Sequence, residues 1–149
     1  MATGPSSMTA CQRQTFLAAS SAVMPVWLAM ILAPRARLTR WLVDRTATPL
    51  LTALGGTYVV LLARGLASGD GDRADLRDPE QVRALLQSPE GFLTGWLHYL
   101  ALDLVLGVWI WRTAQAEGRR CRLALVLALM AGPAGLVVFS LQRRLAPIG

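Results

Sequence analysis

Apolar runs separated by short polar connections dominate the hydropathy pattern of the chain. Four of these runs extend over roughly eighteen residues or more with few or no charges, which is close to what a helix needs to cross a bilayer. Soluble bundles differ, because their helices keep a charged face toward water. The pattern therefore predicts four membrane-spanning helices, at about 15–33, 49–66, 88–112 and 123–141.

These runs predict an all-α fold, a membrane-embedded four-helix bundle in a single domain. The transmembrane domain is expected at 15–144, between a polar N-terminal tail over 1–14 and a short C-terminal tail over 145–149. No strand-like alternation of apolar and polar residues and no internal repeat stands out along the chain.

The polar connections predict where helices begin. Thr48 is a good N-cap and Pro49 a good first-turn residue, so the second helix is expected to begin there and 35–45 to form a loop. The connection at 67–91 is polar, but its Asp-Pro-Glu sequence at 78–80 is a helix-start motif. The motif predicts one short helix, which lies either at the membrane interface or as a helical turn in a solvated loop.

The fourth span combines a small-residue face with a bend. Ala124, Ala128 and Gly132 recur every fourth residue, a spacing that lets another helix approach closely. Pro133 directly follows and removes a backbone hydrogen bond, so this helix is expected to bend there, and the first helix to kink at Pro25 for the same reason.

Arginines indicate the sides of the predicted membrane domain. The connections after the first and third spans are rich in arginine, and cytoplasmic loops are enriched in basic residues, so both are expected on the cytoplasmic side. Four spans then place both termini outside. The pair at 143–144, after the fourth span, argues against that orientation.

Composition supports a membrane domain and narrows the chemistry. The formal net charge is +6 and every basic residue is an arginine, but these arginines lie at the ends of apolar runs. Membrane lipid is therefore the expected partner, and nucleic acid is not. His98 is the single histidine and Cys11 and Cys121 are far apart, so neither a multi-histidine metal site nor a disulfide framework is expected, and no cofactor is predicted.

Asp103 lies near the middle of the third span. A carboxyl group at that depth costs about 2.5–3.5 kcal/mol and indicates a function by default. No arginine lies at the same depth, so desolvation favours the neutral acid, which can donate a hydrogen bond or a proton. The alternative is a structural role, in which Asp103 bonds Tyr58, Ser21 or a carbonyl freed by Pro25 or Pro133.

One face of the third helix predicts a pocket wall. At 100° per residue, Trp96, Tyr99, Asp103 and Gly107 share that face, where Gly107 leaves a gap. His98 lies about 140° around the helix from Asp103. A direct pair between these two is not expected, so His98 should contact a neighbouring helix or the interface.

Motifs shared with one known family lie along most of the chain in the same order. The most specific motif is Trp96-x-His98 followed by Asp103-Leu104. The other motifs are Pro25–Leu32 with Ala33-Pro34 and Thr39, Pro49 with Tyr58 and Leu61-Leu62, and Gly132-Pro133-x-Gly135. Over about 16–144 the chain resembles the abscisic-acid-deficient-four-like proteins, small integral membrane proteins named for a plastid protein needed to make neoxanthin.

The resemblance implies chemistry on a hydrophobic isoprenoid or carotenoid. The plant relative is associated with converting violaxanthin, an epoxide, into neoxanthin, an allene, by an isomerisation that needs an acid at the epoxide oxygen and a base for a carbon-bound proton. Asp103 is the expected acid, with Tyr99 or Tyr58 as donor. The candidate catalytic residues are Asp103, Tyr99, Tyr58 and His98, and the candidate substrate-binding residues are Trp96, Trp27, Gly107 and Pro133.

Departures from the plant pattern leave the substrate and the membrane open. The longer N-terminal targeting region of plastid members is absent, which favours a bacterial inner membrane over a plastid membrane. Gly107 stands where plastid members tend to have alanine. The alternative to an enzyme is a non-catalytic lipid- or pigment-binding protein or a scaffold, and a homo-oligomer or a partner enzyme in a complex stays open. A transporter is a third interpretation.

Overall fold

Six helices make up the regular structure of the residues described by the computed structural model, which are 7–67 and 77–145. The predicted all-α fold is confirmed, since these residues contain no strand. The helices are α1 (Ala10–Leu32), α2 (Arg37–Ala67), α3 (Pro79–Gln87), α4 (Pro89–Ala116), α5 (Arg122–Ala131) and α6 (Pro133–Leu145).

Three helices, α1, α2 and α4, are long and apolar enough to cross a membrane. At 1.5 Å per residue they are about 35, 46 and 42 Å long, which exceeds a hydrocarbon layer of about 30 Å. Their outward faces carry large apolar side chains, such as Val59, Val60 and Leu102, each about half exposed. The central helix is α4, which contacts all five others.

The first helix begins inside the region predicted as a polar tail. Thr9 caps α1, because its hydroxyl accepts a hydrogen bond from Gln12 N at 3.2 Å and its own N–H donates to Gln12 Oε1 at 2.8 Å. This reciprocal pair is a capping box. Helix α1 then continues through Pro25, and the kink there stays a prediction.

The predicted start of the second helix is wrong. Helix α2 begins at Arg37 and passes through Pro49, so the residues assigned to a loop form its first turns. Arginine, leucine and alanine make up six of the twelve residues from Arg37 to Thr48, and these are strong helix formers. The Thr39 hydroxyl donates to Ala33 O at 2.7 Å, which fastens the first turn of α2 to a short link from α1.

The starts of α3 and α4 are confirmed. Asp78 caps α3 by accepting a hydrogen bond from Glu80 N at 3.0 Å. Ser88 caps α4 in the same way by accepting from Gly91 N at 3.0 Å. A short helix therefore exists in the 67–91 connection, and its place at the membrane interface stays a prediction. Residues 68–76 of this connection lie outside the described residues. So does the predicted C-terminal tail, except for Leu145.

The prediction of a continuous fourth span is wrong. The helix is interrupted at Gly132, so the predicted span is divided into α5, with 10 residues, and α6, with 13. Their lengths of about 15 and 20 Å are each too short for a membrane crossing.

Helix α6 instead folds back alongside α5, and we call the two together the helical hairpin. Arg143, in the last turn of α6, pairs with Glu117 at the end of α4 over 2.6 Å. The Arg119 guanidinium, just before α5, donates to the Gln142 carbonyl at 3.2 Å. The end of α6 therefore lies beside the start of α5, and the prediction that the two lie on opposite sides of the bundle is wrong.

Small residues allow the two arms of the hairpin to approach closely. A Cβ built on Gly135 would lie 2.5 Å from the Ala128 Cβ and 2.5 Å from the Ala124 carbonyl oxygen. Ala124 and Ala128 are fully buried. Two members of the predicted small-residue face, Ala124 and Ala128, therefore receive α6, whereas the third, Gly132, faces Asp103 of α4.

Candidate functional site

Asp103 lies halfway along α4 and faces the tip of the helical hairpin. A Cβ built on Gly132 would overlap the Asp103 Oδ1 and would lie 3.4 Å from its Cγ. The side chain is half-buried, and within the described residues it makes no hydrogen bond or ion pair. The hairpin tip therefore reaches the level at which the sequence predicts a mid-membrane acid, and only glycine fits beside it.

The tip places both the N-terminus of α6 and the C-terminus of α5 next to this carboxyl group. The last carbonyl groups of α5 carry partial negative charge and oppose the effect of the first N–H groups of α6. Helix α6 begins at Pro133, directly after the contact at Gly132. The first backbone N–H groups of a helix lack intrahelical partners and carry partial positive charge, which favours a nearby carboxylate. One of these N–H groups, that of Gly135, donates a hydrogen bond to Gly132 O at 3.1 Å. The arrangement can hold Asp103 in place and can modulate its proton.

Trp27 fills the gap that Gly107 leaves one turn beyond Asp103. The Trp27 ring is 1% exposed, and a Cβ built on Gly107 would lie 2.7 Å from its Cζ3 and 2.9 Å from its Cζ2. Trp27 and Gly107, both predicted to bind substrate, are therefore in contact, but they pack on each other. Their packing holds α1 against α4 beside the acid.

Trp96 joins α4 to α1 closer to the start of α4. Its indole N–H donates to Ser20 Oγ at 2.9 Å. Its ring lies 5.1 Å from the Phe16 ring and 6.2 Å from the Phe92 ring, measured between centroids. The tryptophan nitrogen and three aromatic rings thus form one cluster between the two helices.

His98 faces α2, as expected from its position around α4. Its ring centroid lies 5.4 Å from that of Tyr58 and 6.1 Å from that of Tyr99. Tyr99 is 61% exposed and His98 is also exposed, whereas Tyr58 is half-buried. These three residues form a second polar group, which opens to the outer surface of the bundle.

The candidate residues therefore form two groups on different sides of α4. Asp103 lies at the hairpin tip, next to an exposed Pro133. Tyr58 packs on His98 instead, so the structure does not show it as the donor to Asp103. The catalytic and binding roles of all eight residues stay predictions.

Sequence reasoning misses the roles of two residues of the site. The four-residue spacing assigns Gly132 to a packing face, although a Gly-Pro pair inside an apolar run is also a turn signal. Ser20 is one of two adjacent serines, and nothing in the sequence indicates that it accepts a hydrogen bond from Trp96.

A family model described as ABA DEFICIENT 4-like matches residues 14–139. The matched segment contains every candidate residue and the hairpin tip, and it confirms the resemblance inferred from the motifs. No curated protein and no solved structure gives a significant match.

Proposed function

Because the chain belongs to the ABA DEFICIENT 4-like family, we propose that it is an integral membrane protein acting on a lipid-soluble isoprenoid. Helices α1, α2 and α4 each cross the bilayer, and the helical hairpin enters it from one side and returns. Backbone that breaks at membrane depth is tolerated where protein covers it. Here α4 covers the break, and the apolar outer faces of the long helices contact lipid.

The hairpin supports an orientation in which the arginine-rich end of the bundle faces the cytoplasm. With α6 returning, the arginines at 143–144 lie at the same end as the α1–α2 and α4–α5 links. All three arginine clusters then agree with the enrichment of basic residues on the cytoplasmic side. The N-terminus lies outside and the C-terminus inside, in a bacterial inner membrane.

The reaction class proposed is the isomerisation of an epoxide to an allene. An acid protonates the epoxide oxygen, the carbon–oxygen bond breaks, and the oxygen leaves as a hydroxyl group on the same molecule. A base removes a carbon-bound proton, and the electron pair released completes the allene, so no oxidant or reductant is needed. Asp103 is the proposed acid. His98 and Tyr58 lie on a different side of α4 and are not assigned to the same step, so the base is left to the substrate complex.

One observation carries this proposal more than any other. Asp103 lies halfway along α4, packs against the interruption between α5 and α6, and has no cationic side chain bonded to it within the described residues. Intramembrane acids in such settings mark functional sites. The broken backbone at the tip also provides polar groups that a substrate hydroxyl can contact.

The second candidate is a non-catalytic role in pigment or lipid binding, or as a scaffold. The same contact favours it, since a side chain that packs against the hairpin tip can hold the tip on α4 without any chemistry. The cluster of Trp96, Phe16 and Phe92 suits a polyene equally well. In this role the protein would hold a carotenoid for a partner enzyme or for a second copy of itself.

Pigment profiling separates the two candidates. The protein is expressed in cells that make violaxanthin, with Asp103→Asn as the test variant and Asp44→Asn as control. Asp44 pairs with Arg112 over 3.2 Å at the arginine-rich end, so its loss removes an acid far from the hairpin tip. Conversion by the wild type and the control but not by Asp103→Asn, with equal detergent melting temperatures, supports catalysis.

Other outcomes have distinct meanings. Violaxanthin that copurifies unchanged supports binding alone. Full conversion by Asp103→Asn removes Asp103 from the chemistry. If violaxanthin is neither converted nor copurified, it is excluded as the substrate.

A further inference from the structure

A cleft of about 680 Å³ opens at the arginine-rich end of the bundle. Its walls are the short link from α1 to α2, the link from α4 to α5, and the end of α6. Four arginines contribute to its lining, namely Arg35, Arg119, Arg120 and Arg122. Among the described residues that line it, none is acidic.

Two of these arginines are held in position by backbone carbonyls. Arg35 donates to Gly118 O at 3.2 Å, which ties the first link to the second. Arg122, at the start of α5, donates to Leu32 O at the end of α1 at 2.9 Å. A carbonyl oxygen carries no net charge, so both guanidinium groups are oriented but not neutralised.

The acids at this end of the bundle are engaged elsewhere. Glu117 pairs with Arg119 at 2.7 Å and with Arg143 at 2.6 Å. Asp44 pairs with Arg112. Within the described residues, Arg35, Arg120 and Arg122 form no ion pair, and the exposed Arg120 forms no hydrogen bond either. Three uncompensated guanidinium groups therefore share one cleft.

We propose that this cleft binds the phosphate group of an anionic ligand, one whose phosphate charge is not balanced by a positive charge on the same molecule. Arginine presents planar donors that match phosphate oxygens in pairs, and such charge-assisted bonds are roughly twice as strong as neutral ones. In the orientation proposed above, the cleft lies at the cytoplasmic surface, where anionic phospholipid headgroups attract basic residues. A soluble phosphorylated compound offers the same group. The inference does not depend on the chemistry assigned to Asp103.

The test compares two triple variants of equal charge. One replaces Arg35, Arg120 and Arg122 with glutamine, and the control replaces the residues at 37, 40 and 45, which are arginines on the first turns of α2 outside the cleft lining. Native mass spectrometry in neutral detergent measures binding of phosphatidylglycerol against phosphatidylcholine. Thermal shift with inorganic phosphate measures the soluble source. The cleft variant should lose at least about tenfold in affinity, on the scale of charge-assisted bonds, and the control should change little.

The two probes identify the ligand source. A preference for phosphatidylglycerol without a response to phosphate assigns the cleft to a lipid headgroup, and the reverse assigns it to a soluble phosphate. If the triple cleft variant does not fold, Arg120→Gln replaces it, because Arg120 makes no bond in the described fold. Equal losses in the cleft and control variants, or no response of the wild type to either probe, overturn the proposal.

Discussion

Replacing Gly107 with alanine tests the packing beside the proposed acid. The added Cβ would lie under 3 Å from three ring carbons of Trp27, and the buried ring has little room to move. Overpacking of this kind costs about 1–3 kcal/mol. Alanine gains up to about 1 kcal/mol over glycine within a helix, so Gly107→Ala should be neutral to destabilising by about 2 kcal/mol.

Gly56→Ala is the matched control. Gly56 lies inside α2, and a Cβ there meets no atom within 4 Å. It should therefore keep the helix-propensity gain of up to about 1 kcal/mol without an opposing cost. The two variants should differ by about 1–3 kcal/mol in detergent, measured from melting or denaturant unfolding.

A double-mutant cycle identifies Trp27 as the cause. Trp27→Leu removes the three crowded ring carbons and should itself destabilise, since it leaves a cavity. In that background Gly107→Ala should cost nothing, which gives a coupling energy of about 1 kcal/mol or more. Equal effects of Gly107→Ala and Gly56→Ala, or a coupling energy of zero, would refute the close contact between α1 and α4.

Three further predictions concern topology, pH and the aromatic cluster. A C-terminal green fluorescent protein should fluoresce and a C-terminal alkaline phosphatase should stay inactive, because the helical hairpin returns the chain to the end proposed as cytoplasmic. The opposite pattern restores a fourth crossing. The Arg143 guanidinium beside Glu117, together with Arg119, holds the pKa of that carboxyl below its usual 4.5. The ionised Glu117 therefore stabilises the fold fully above pH 4.5, and this stabilisation is lost as pH falls through the lowered pKa. The difference in melting temperature between the wild type and Glu117→Gln should consequently shrink only in acid. Ser20→Ala should lose about 1 kcal/mol with the hydrogen bond to Trp96, whereas Ser21→Ala, at an exposed neighbour, should not.

Local sequence signals predict most of the helices and the depth of the acid. Asp78 and Ser88 cap helices because capping depends on the next two or three residues. The depth of Asp103 follows from counting apolar residues on either side of it. Thr48 and Pro49 mislead because the same residues are tolerated inside a helix that good helix formers have already begun.

The hairpin is hidden in the sequence because composition does not distinguish one long apolar helix from two short ones. The decisive contact, Arg143 with Glu117, joins residues 26 positions apart. A clue is nonetheless present, since arginines after a fourth span contradict the orientation that the other arginines indicate. The Gly-Pro pair at 132–133 allows a reversal that removes the contradiction.

The sequence predicts the candidate residues of the site, most of them on α4, but not how residues of different helices meet. Helical spacing correctly separates His98 from Asp103. It also assigns Tyr99 to the face of Asp103, whereas Tyr99 is 61% exposed and contacts His98. It cannot show which residue of α1 fills the space at Gly107, because that depends on how closely α1 and α4 approach each other. The same limit applies to Gly132, whose neighbour comes from a different helix.

The break at Gly132 also sets an order for assembly of the chain. Arms of 10 and 13 residues cannot hold the polypeptide across a bilayer by themselves. Their exposed backbone needs the flank of α4 as cover, so the first three spans must already be integrated when the last segment docks. A chain that stops after residue 120 should consequently stay in the membrane pellet after an alkaline wash, because α1, α2 and α4 anchor it without help from the two short arms.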